Sequence, residues 1–550
     1  MMTFRVYLVT GLFLALALAM AGRVVFLHVF EKDFLQDQGD ARTIRMERIN
    51  AHRGMIQDRQ GKPLAVSSPV VSLWANPVEL LGSGEGMEQL ALLLEVPPAE
   101  FNARLSKSPG QTFVYLRRHL PPSVAEKILS YDIPGVYAER EYHRYYPAGE
   151  VAAHVVGFTN IDDKGQEGVE LAYEGWLKGT PGRKKVLKNL YGNIVRDIKP
   201  ISEADPGKNL ELSVDLRVQY LAYRELKSAI QYFNAASGSV VVLDVATGAI
   251  LALVNQPSYN PNNRLGLDMS AVRNRALTDV FEPGSTVKPF TVAAALQSGQ
   301  YTRESTIDTS PGFIKVGAKT IPDPANYGVL DLGGIIEKSS QVGISKLALS
   351  MNEYDVWEMF SAVGMGQSTN IGFPGERNGF LPNHRRWKDI ERVTFAYGYG
   401  LTVTPIQLAS AYLTIASGGI KRQLSLVNSA NVEGTRVFDK STSADVMRML
   451  QRVTSVGTGS KASMAAYSVA GKTGTVRKVG KDGYEDTRHM AFFAGITPAV
   501  NPRLVGVVMI NDPKGNGYGG GAIAAPVFSR IMAAALRLLN VPPDDIGEAA

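Results

Sequence analysis

The chain has 550 residues, room for more than one domain, and its 45% hydrophobic and 20% charged residues mark a globular protein rather than a disordered or coiled-coil one. A net charge of only +6, with no Lys/Arg-rich block, gives nucleic-acid binding little support. Cysteine is absent, which excludes disulfides, thiol catalysis, iron–sulfur clusters and Cys-type zinc sites, and the seven histidines form no His-Glu-x-x-His.

Val6 to Gly22 is a stretch of 17 residues without a charge, and Val24 to Phe30 continues apolar apart from His28. With Arg23 snorkelling, residues 6–30 are just long enough to cross a bilayer core of ~30 Å as a single anchor. A cleaved signal peptide competes, with Arg5 as its basic start and Ala19-Met20-Ala21 as its cleavage site. The anchor is favoured because the apolar run outlasts Ala21. Both readings send the chain from about residue 31 across the membrane, and Arg5 with the amino terminus supplies a weak positive-inside signal for a cytoplasmic tip at 1–5.

Residues 31–60 carry an arginine cluster (Arg42, Arg45, Arg48, Arg53) and read as a solvated juxtamembrane segment. Val70 to Trp74 is strand-like, Gly86 to Leu94 helix-like, and turn signals are dense from 140 to 210, so 31–209 reads as an irregular α+β module. A second domain, 210–540, opens with a strand at Leu210–Val214 and a helix at Leu216–Phe233. Gly238–Val242 and Ile250–Val254 flank Asp244-Val245-Ala246-Thr247-Gly248 in a hairpin pattern. Leu504–Ile510 is an apolar strand and Ala524–Leu539 an amphipathic helix. That succession suits an antiparallel sheet covered by helices. Residues 541–550 read as a frayed acidic tail.

Three short motifs carry chemistry. Ser285-Thr286-Val287-Lys288 is the only Ser-x-x-Lys in the chain. Pro283-Gly284 turns into an apolar helical run through Ala295, which places Ser285 and Lys288 on one helical face near its positive end. A serine hydroxyl becomes a nucleophile when a neighbour takes its proton, and a partly desolvated lysine can do so. Ser339-Ser340-Gln341 follows 54 residues after Ser285; Ser339 reads as the cap of a helix opening at Ser340. Lys472-Thr473-Gly474-Thr475 follows 133 residues after Ser339 and reads as a strand offering positive charge and hydroxyls. Gly474 there reads as room for a substrate along the strand edge. Ala466 to Thr473 loosely fits a phosphate loop, but it lacks the earlier glycines and a following helix.

In their order these motifs resemble those of the penicillin-binding proteins and serine β-lactamases. Arg53 to Gly61, Gly165-Gln166-Glu167-Gly168-Val169-Glu170, Gly398 to Pro405 and Phe492-Phe493-Ala494-Gly495 extend the resemblance to the class B penicillin-binding proteins, over nearly the whole chain. The single anchor and compact first module are most similar to the division-specific, septal branch. An elongation-type or conditional class B paralogue is the alternative within the family. The one departure is Gln341, where the family's middle motif ends in asparagine.

The resemblance implies an inner-membrane, single-pass protein with an α+β pedestal of dimerisation type and an extracytoplasmic transpeptidase domain. It implies a donor stem peptide of peptidoglycan ending in D-Ala-D-Ala, attacked by Ser285 with Lys288 as base. Ser339 and Lys472 would relay the proton to the departing D-Ala. Gln341, Thr473, Gly474 and Thr475 would bind substrate, and the backbone N–H groups of Ser285 and Thr475 would form the oxyanion hole. β-Lactams are the implied inhibitors, and a SEDS-family glycosyltransferase and other division proteins the implied partners; no metal or cofactor is called for. A β-lactamase would need a fast deacylating base, and the Glu-x-x-Leu-Asn that supplies one is missing. A non-catalytic β-lactam sensor or division scaffold has only Gln341 in its favour.

Overall fold

A computed structural model describes residues 2–35, 44–83, 86–106, 111–188, 194–428, 434–480, 483–514, 517 and 519–544. Helix α1, Met2–Val25, continues as a π-helical turn over Phe26–Phe30, and no side chain of either is buried. Its 24 residues rise about 36 Å at about 1.5 Å each, and they are apolar on every side.

Beyond α1 the chain falls into two compact units interleaved in sequence. The first takes residues up to Arg53, Ser67–His143 and Lys178–Lys208; the second takes Gly54–Val66, Arg144–Leu177 and Asn209–Ala550. Segments 54–66 and 144–177, expected within the 31–209 module, therefore group with the later chain. The reason is pairing with the later chain: Ile56 lies beside Leu210 in a parallel bridge, and Tyr146 N donates to Asn262 Oδ1 at 2.9 Å.

In the first unit, β1 (Ile44–Ile49), β5 (Gly182–Lys188) and β6 (Ile194–Ser202) form an antiparallel sheet. Its second sheet pairs the part of β2 (Pro63–Ala75) from Ser67 on with β3 (Val114–Leu120) and with the part of β4 (Val136–Tyr145) up to His143. Leu73, Leu80, Leu90, Phe101, Leu116 and Ile128 make its own small core. The strand-like run at Val70–Trp74 lies inside the longer β2, and the helix expected from Gly86 runs over Met87–Leu93. The arginine-rich segment is solvated at Arg45 and Arg48, which are exposed, but it is an ordered strand and not an irregular linker. Arg45 and Arg48 sit in a paired strand and Arg53 is fully buried, while Arg42 lies outside the described residues.

In the second unit, helix α2 (Leu216–Tyr232) is capped by Asp215, whose carboxylate accepts from Arg217 N at 3.0 Å. The five-stranded antiparallel sheet runs β8–β7–β11–β10–β9, with β7 Ser237–Asp244, β8 Ile250–Gln256, β9 Ala470–Gly480, β10 Gly483–Thr497 and β11 Leu504–Asn511. Every residue of β7 is buried. Alternation explains why: Val240 and Val242 enter one cluster with α2 and helix α7 (Gly520–Leu538), while Val241 and Leu243 enter another with helix α6 (Pro405–Ala416). The sheet is thus sandwiched, with β9 on its edge. The chain after α7 is not frayed at its start. Val541 is nearly buried with its carbonyl accepting from Tyr467, and Asp544 accepts from Ser468 N at 2.8 Å; residues 545–550 lie outside the described residues.

Candidate active site

Three elements of the second unit bring the predicted residues together. Ser285 sits in a 3-10 turn, Gly284–Val287, that leads into α3, Lys288–Gln297, with Pro289 in the first helical turn where its missing N–H costs nothing. Tyr412 of α6 clamps this turn, its hydroxyl donating to the Thr286 carbonyl at 2.8 Å. Helix α4 (Leu332–Lys338) ends at Ser339, which holds a left-handed backbone at φ 58°. Helix α5 (Gln341–Ser350) begins two residues later. The expected cap is shifted by one residue: Ser340, not Ser339, caps α5 by accepting from Gly343 N at 2.8 Å. That shift frees the Ser339 hydroxyl for the site.

The hydroxyl of Ser339 is the hub. It donates to Ser285 Oγ at 3.1 Å and accepts from Lys472 Nζ at 3.1 Å and Lys288 Nζ at 3.3 Å. Lys288 also donates to the carbonyls of Ser339 (2.6 Å) and Ser340 (3.3 Å), and Lys472 to that of Thr473 (3.2 Å). Among the described residues, Ser285 has no direct hydrogen bond to Lys288, so the two meet through Ser339. Both lysines are fully buried and neither forms an ion pair with a described residue. Desolvation pushes Lys472 down to about 7. Desolvation, then the charge of Lys472, holds Lys288 well below the ordinary lysine range, against a smaller opposing pull from Asp323.

The strand β9 carries Lys472, Thr473, Gly474 and Thr475 in sequence along the sheet edge, so the loose phosphate-loop pattern lies in a strand and not before a helix. The Thr473 hydroxyl meets that of Thr458 at 3.0 Å, and Thr475 Oγ1 accepts from Gly520 N at 2.9 Å. Gly474 has a packing reason as well. A Cβ there would lie 2.8 Å from Thr286 Cγ2 and 2.9 Å from Phe492 Cδ2, so the missing side chain lets the strand close against the serine turn. Gly284, at φ 51°, answers it from the other side: its Cβ would lie 2.6 Å from Val476 Cγ1.

Gln341 is half-buried, and its side-chain amide makes no hydrogen bond among the described residues. Its backbone N–H donates to Asp323 Oδ1. Asp323 and Glu282 are neighbours of the site that the motifs do not name. Glu282 accepts from Gly400 N at 2.9 Å and from the Tyr484 hydroxyl at 2.8 Å, tying the Gly398–Gly400 loop and the β9–β10 hairpin to the residue three before Ser285. Only a sequence distance too long for any local rule separates these partners.

Chemically, the arrangement presents a half-exposed hydroxyl with a hydroxyl relay behind it and two desolvated amines able to accept or return a proton. The family model for the penicillin-binding protein transpeptidase domain matches residues 238–533, and that for the penicillin-binding protein dimerisation domain matches 48–212. The chain is 45% identical over 549 residues to the peptidoglycan D,D-transpeptidase FtsI of Escherichia coli K12, covering 98% of this chain and 93% of that protein. Among solved structures, a peptidoglycan synthetase from Bifidobacterium adolescentis is similar with a TM-score of 0.73 at 26% identity, over 91% of this chain and 98% of that one. Penicillin-binding protein 3 of Mycobacterium tuberculosis in complex with aztreonam gives 0.71 at 26%, over 90% and 98%.

Proposed function

The chain belongs to the class B penicillin-binding proteins, and from that premise we propose how its residues cross-link peptidoglycan as a septal serine D,D-transpeptidase that β-lactams inhibit. The observation that carries the assignment of roles is the Ser339 hydroxyl, shared by Ser285 and two buried lysines.

In acylation, Ser285 Oγ attacks the penultimate D-Ala carbonyl of a donor stem peptide. Its proton passes to neutral Lys288, through Ser339 Oγ when the geometry is as described. Burial supports this role, because it disfavours the charged form of the amine. The backbone N–H groups of Ser285 and Thr475 receive the oxyanion; one such donor is worth about 3–4 kcal/mol. Ser339 and Lys472 return a proton to the departing D-Ala amine as the C–N bond breaks. Thr473, Thr475 and Lys472 hold the terminal carboxylate, and Gln341 contacts the donor peptide. The amine of a neighbouring stem then attacks the ester, releases Ser285 and leaves the cross-link.

In the same reading, α1 is an uncleaved anchor with the tip 1–5 cytoplasmic, 31–209 serves as pedestal, and the 210–540 domain acts outside the cytoplasmic membrane beside a SEDS-family glycosyltransferase and other division proteins. An intact amino terminus on membrane-extracted protein supports the anchor; a mature form starting at Gly22 would refute it. The central test is cross-linking of lipid-linked substrate together with fluorescent-penicillin labelling. Both should occur in the parent and vanish in Ser285→Ala, and labelling that persists on another serine would sink the assignment.

A further inference from the structure

Arg48, in the arginine cluster after the anchor, has no part in the reaction, yet the fold builds around it a charge that no run of the sequence shows. β1, β5 and β6 pair in one antiparallel sheet, and residues directly opposite one another share a face. On one face Arg48 stands opposite Arg183. Two residues along, Met46, Lys185 and Lys199 line up across all three strands. The four cations are exposed, and none forms an ion pair with a described residue. Met46 is 54% exposed beside them. The acids of these strands, Glu47 and Asp197, hold register positions on the other face, opposite Lys184 and Val186. There Val186 is buried, and Glu47 meets Lys184 at 3.5 Å.

Like charges directly opposite each other weaken a sheet. Two such pairs, Arg48 with Arg183 and Lys185 with Lys199, occupy neighbouring rows of this face. Opposite charges would have stabilised the same strands, as Glu47 and Lys184 do behind them. A face that serves solubility alone mixes both signs, so a face of one sign calls for a negative counterpart. Position says which. Ile44 follows Phe30, at the end of the anchor, by 14 residues, which span at most about 50 Å. The sheet is tethered close to the membrane surface, and tethering raises the effective concentration of what that surface offers. Guanidinium and ammonium groups take phosphate oxygens, and an apolar side chain such as Met46 suits the boundary between headgroups and acyl chains.

We propose that this face is a membrane-docking surface: Arg48, Arg183, Lys185 and Lys199 bind the phosphates of anionic phospholipid headgroups beside the anchor, with Met46 among them. A single spanning helix holds the chain at the bilayer but turns no particular face of the sheet toward it, whereas four phosphate contacts do. The attraction depends on salt, because exposed charges are screened beyond about 10 Å at about 0.1 M and beyond about 3 Å at about 1 M.

The inference rests on α1 being an uncleaved anchor, and one preparation tests the two apart. Full-length protein is placed in nanodiscs of phosphatidylcholine alone or mixed with phosphatidylglycerol. Lys185 and Lys199 are acylated with a water-soluble amine reagent and followed by mass spectrometry, with the exposed Lys127 of the same unit as internal reference. In the mixed discs both lysines should react about 25-fold more slowly or less, as for two or more surface cations worth about fivefold each, while Lys127 is unchanged. Salt at about 1 M should remove the protection. Arg48→Gln should cut it about fivefold, and Arg48→Gln with Arg183→Gln should nearly abolish it. Both variants should melt no lower than the parent, since each relieves a like-charge pair, and should be acylated by penicillin at the parent's rate. Equal lysine reactivity in the two kinds of disc overturns the proposal. So does protection in phosphatidylcholine that survives salt, which would mean a second copy or a protein partner, and so does protection by inorganic phosphate without anionic lipid. Protein that leaves phosphatidylcholine discs, or begins at Gly22, overturns the anchor reading instead.

Discussion

Two polar clusters in this protein solve opposite problems. In the first unit, Glu141 of β4 receives Arg118 at 2.6 Å and the Ser72 hydroxyl, beside a His119–His143 contact at 3.1 Å between their Nδ1 atoms. There, opposite charges meet and are partly wet, with Arg118 16% and Glu141 11% exposed. In the second unit, two lysines without a carboxylate bond are fully buried around one serine oxygen. The first arrangement settles its charges and does no more than hold strands together. The second leaves its amines without a partner charge, which costs stability and lowers the proton affinity of both, Lys472 to about 7.

The largest effect expected from that contrast is at Lys288. Lys288→Met should preserve the fold, since a stem of similar length replaces a buried amine that has no ion-pair partner among the described residues. Penicillin acylation should fall by about 10³-fold or more, as for loss of a general base acting with its nucleophile. A variant retaining parental rates would place the base elsewhere.

Lys472→Met should show the cost directly. The folded value of about 7 lies below the ordinary lysine value, so between them the unfolded chain binds a proton that the folded chain does not. Parent stability therefore rises with pH through that window. Removing the lysine should raise stability at pH 7 by on the order of 2 kcal/mol, after allowing for its lost hydrogen bonds, and the gain should shrink toward pH 10. Acylation should meanwhile drop about 10–100-fold. Melting curves at several pH values check the sign; a gain that grows with pH would contradict a desolvated amine.

Much of this contrast is legible in the sequence. Pro283-Gly284 before Ser285 and Pro289 after Lys288 mark a turn entering a helix, and Val469 to Thr475 reads as a strand because its pattern is extended and punctuated by glycine. The alternating apolar runs give β7, β8 and β11 within a residue or two. What sequence cannot supply is the partner of each group across space. Ser339 reads as a cap because serines before helices usually are, and only the structure shows the neighbouring serine taking that task. Gly474 reads as an opening for substrate, whereas Thr286 and Phe492 fill the space a Cβ would need. Asp323 lies between two prolines in a loop and obeys no spacing rule at all. The arginine cluster reads as solvated because arginine usually is, and the burial of Arg53 depends on contacts its own segment does not encode.

Gln341 offers a smaller test. Its amide makes no hydrogen bond among the described residues while its backbone is tied to Asp323, so the side chain can change without moving the helix. Gln341→Asn should leave melting unchanged and alter acylation by about tenfold or less, the worth of one ordinary hydrogen bond. Gln341→Ala should lose more than that. Parental rates in Gln341→Ala would leave the middle motif resting on Ser339 alone.

The smallest effect on acylation belongs to the other cluster. Glu141→Gln removes the charge facing Arg118 and leaves that cation with a neutral acceptor in a partly buried place. Losing one such pair should lower stability by about 1–3 kcal/mol, because solvent still reaches the guanidinium and its lost partner is replaced by an amide. The acylation rate and its pH profile should match the parent's wherever the protein is folded, since none of these groups bonds to Ser285, Lys288, Ser339 or Lys472. The same variant thus separates a charge pair that holds a fold from charges held apart for chemistry. A changed acylation profile in folded Glu141→Gln would mean that the two clusters are energetically coupled, and the contrast between them would fail.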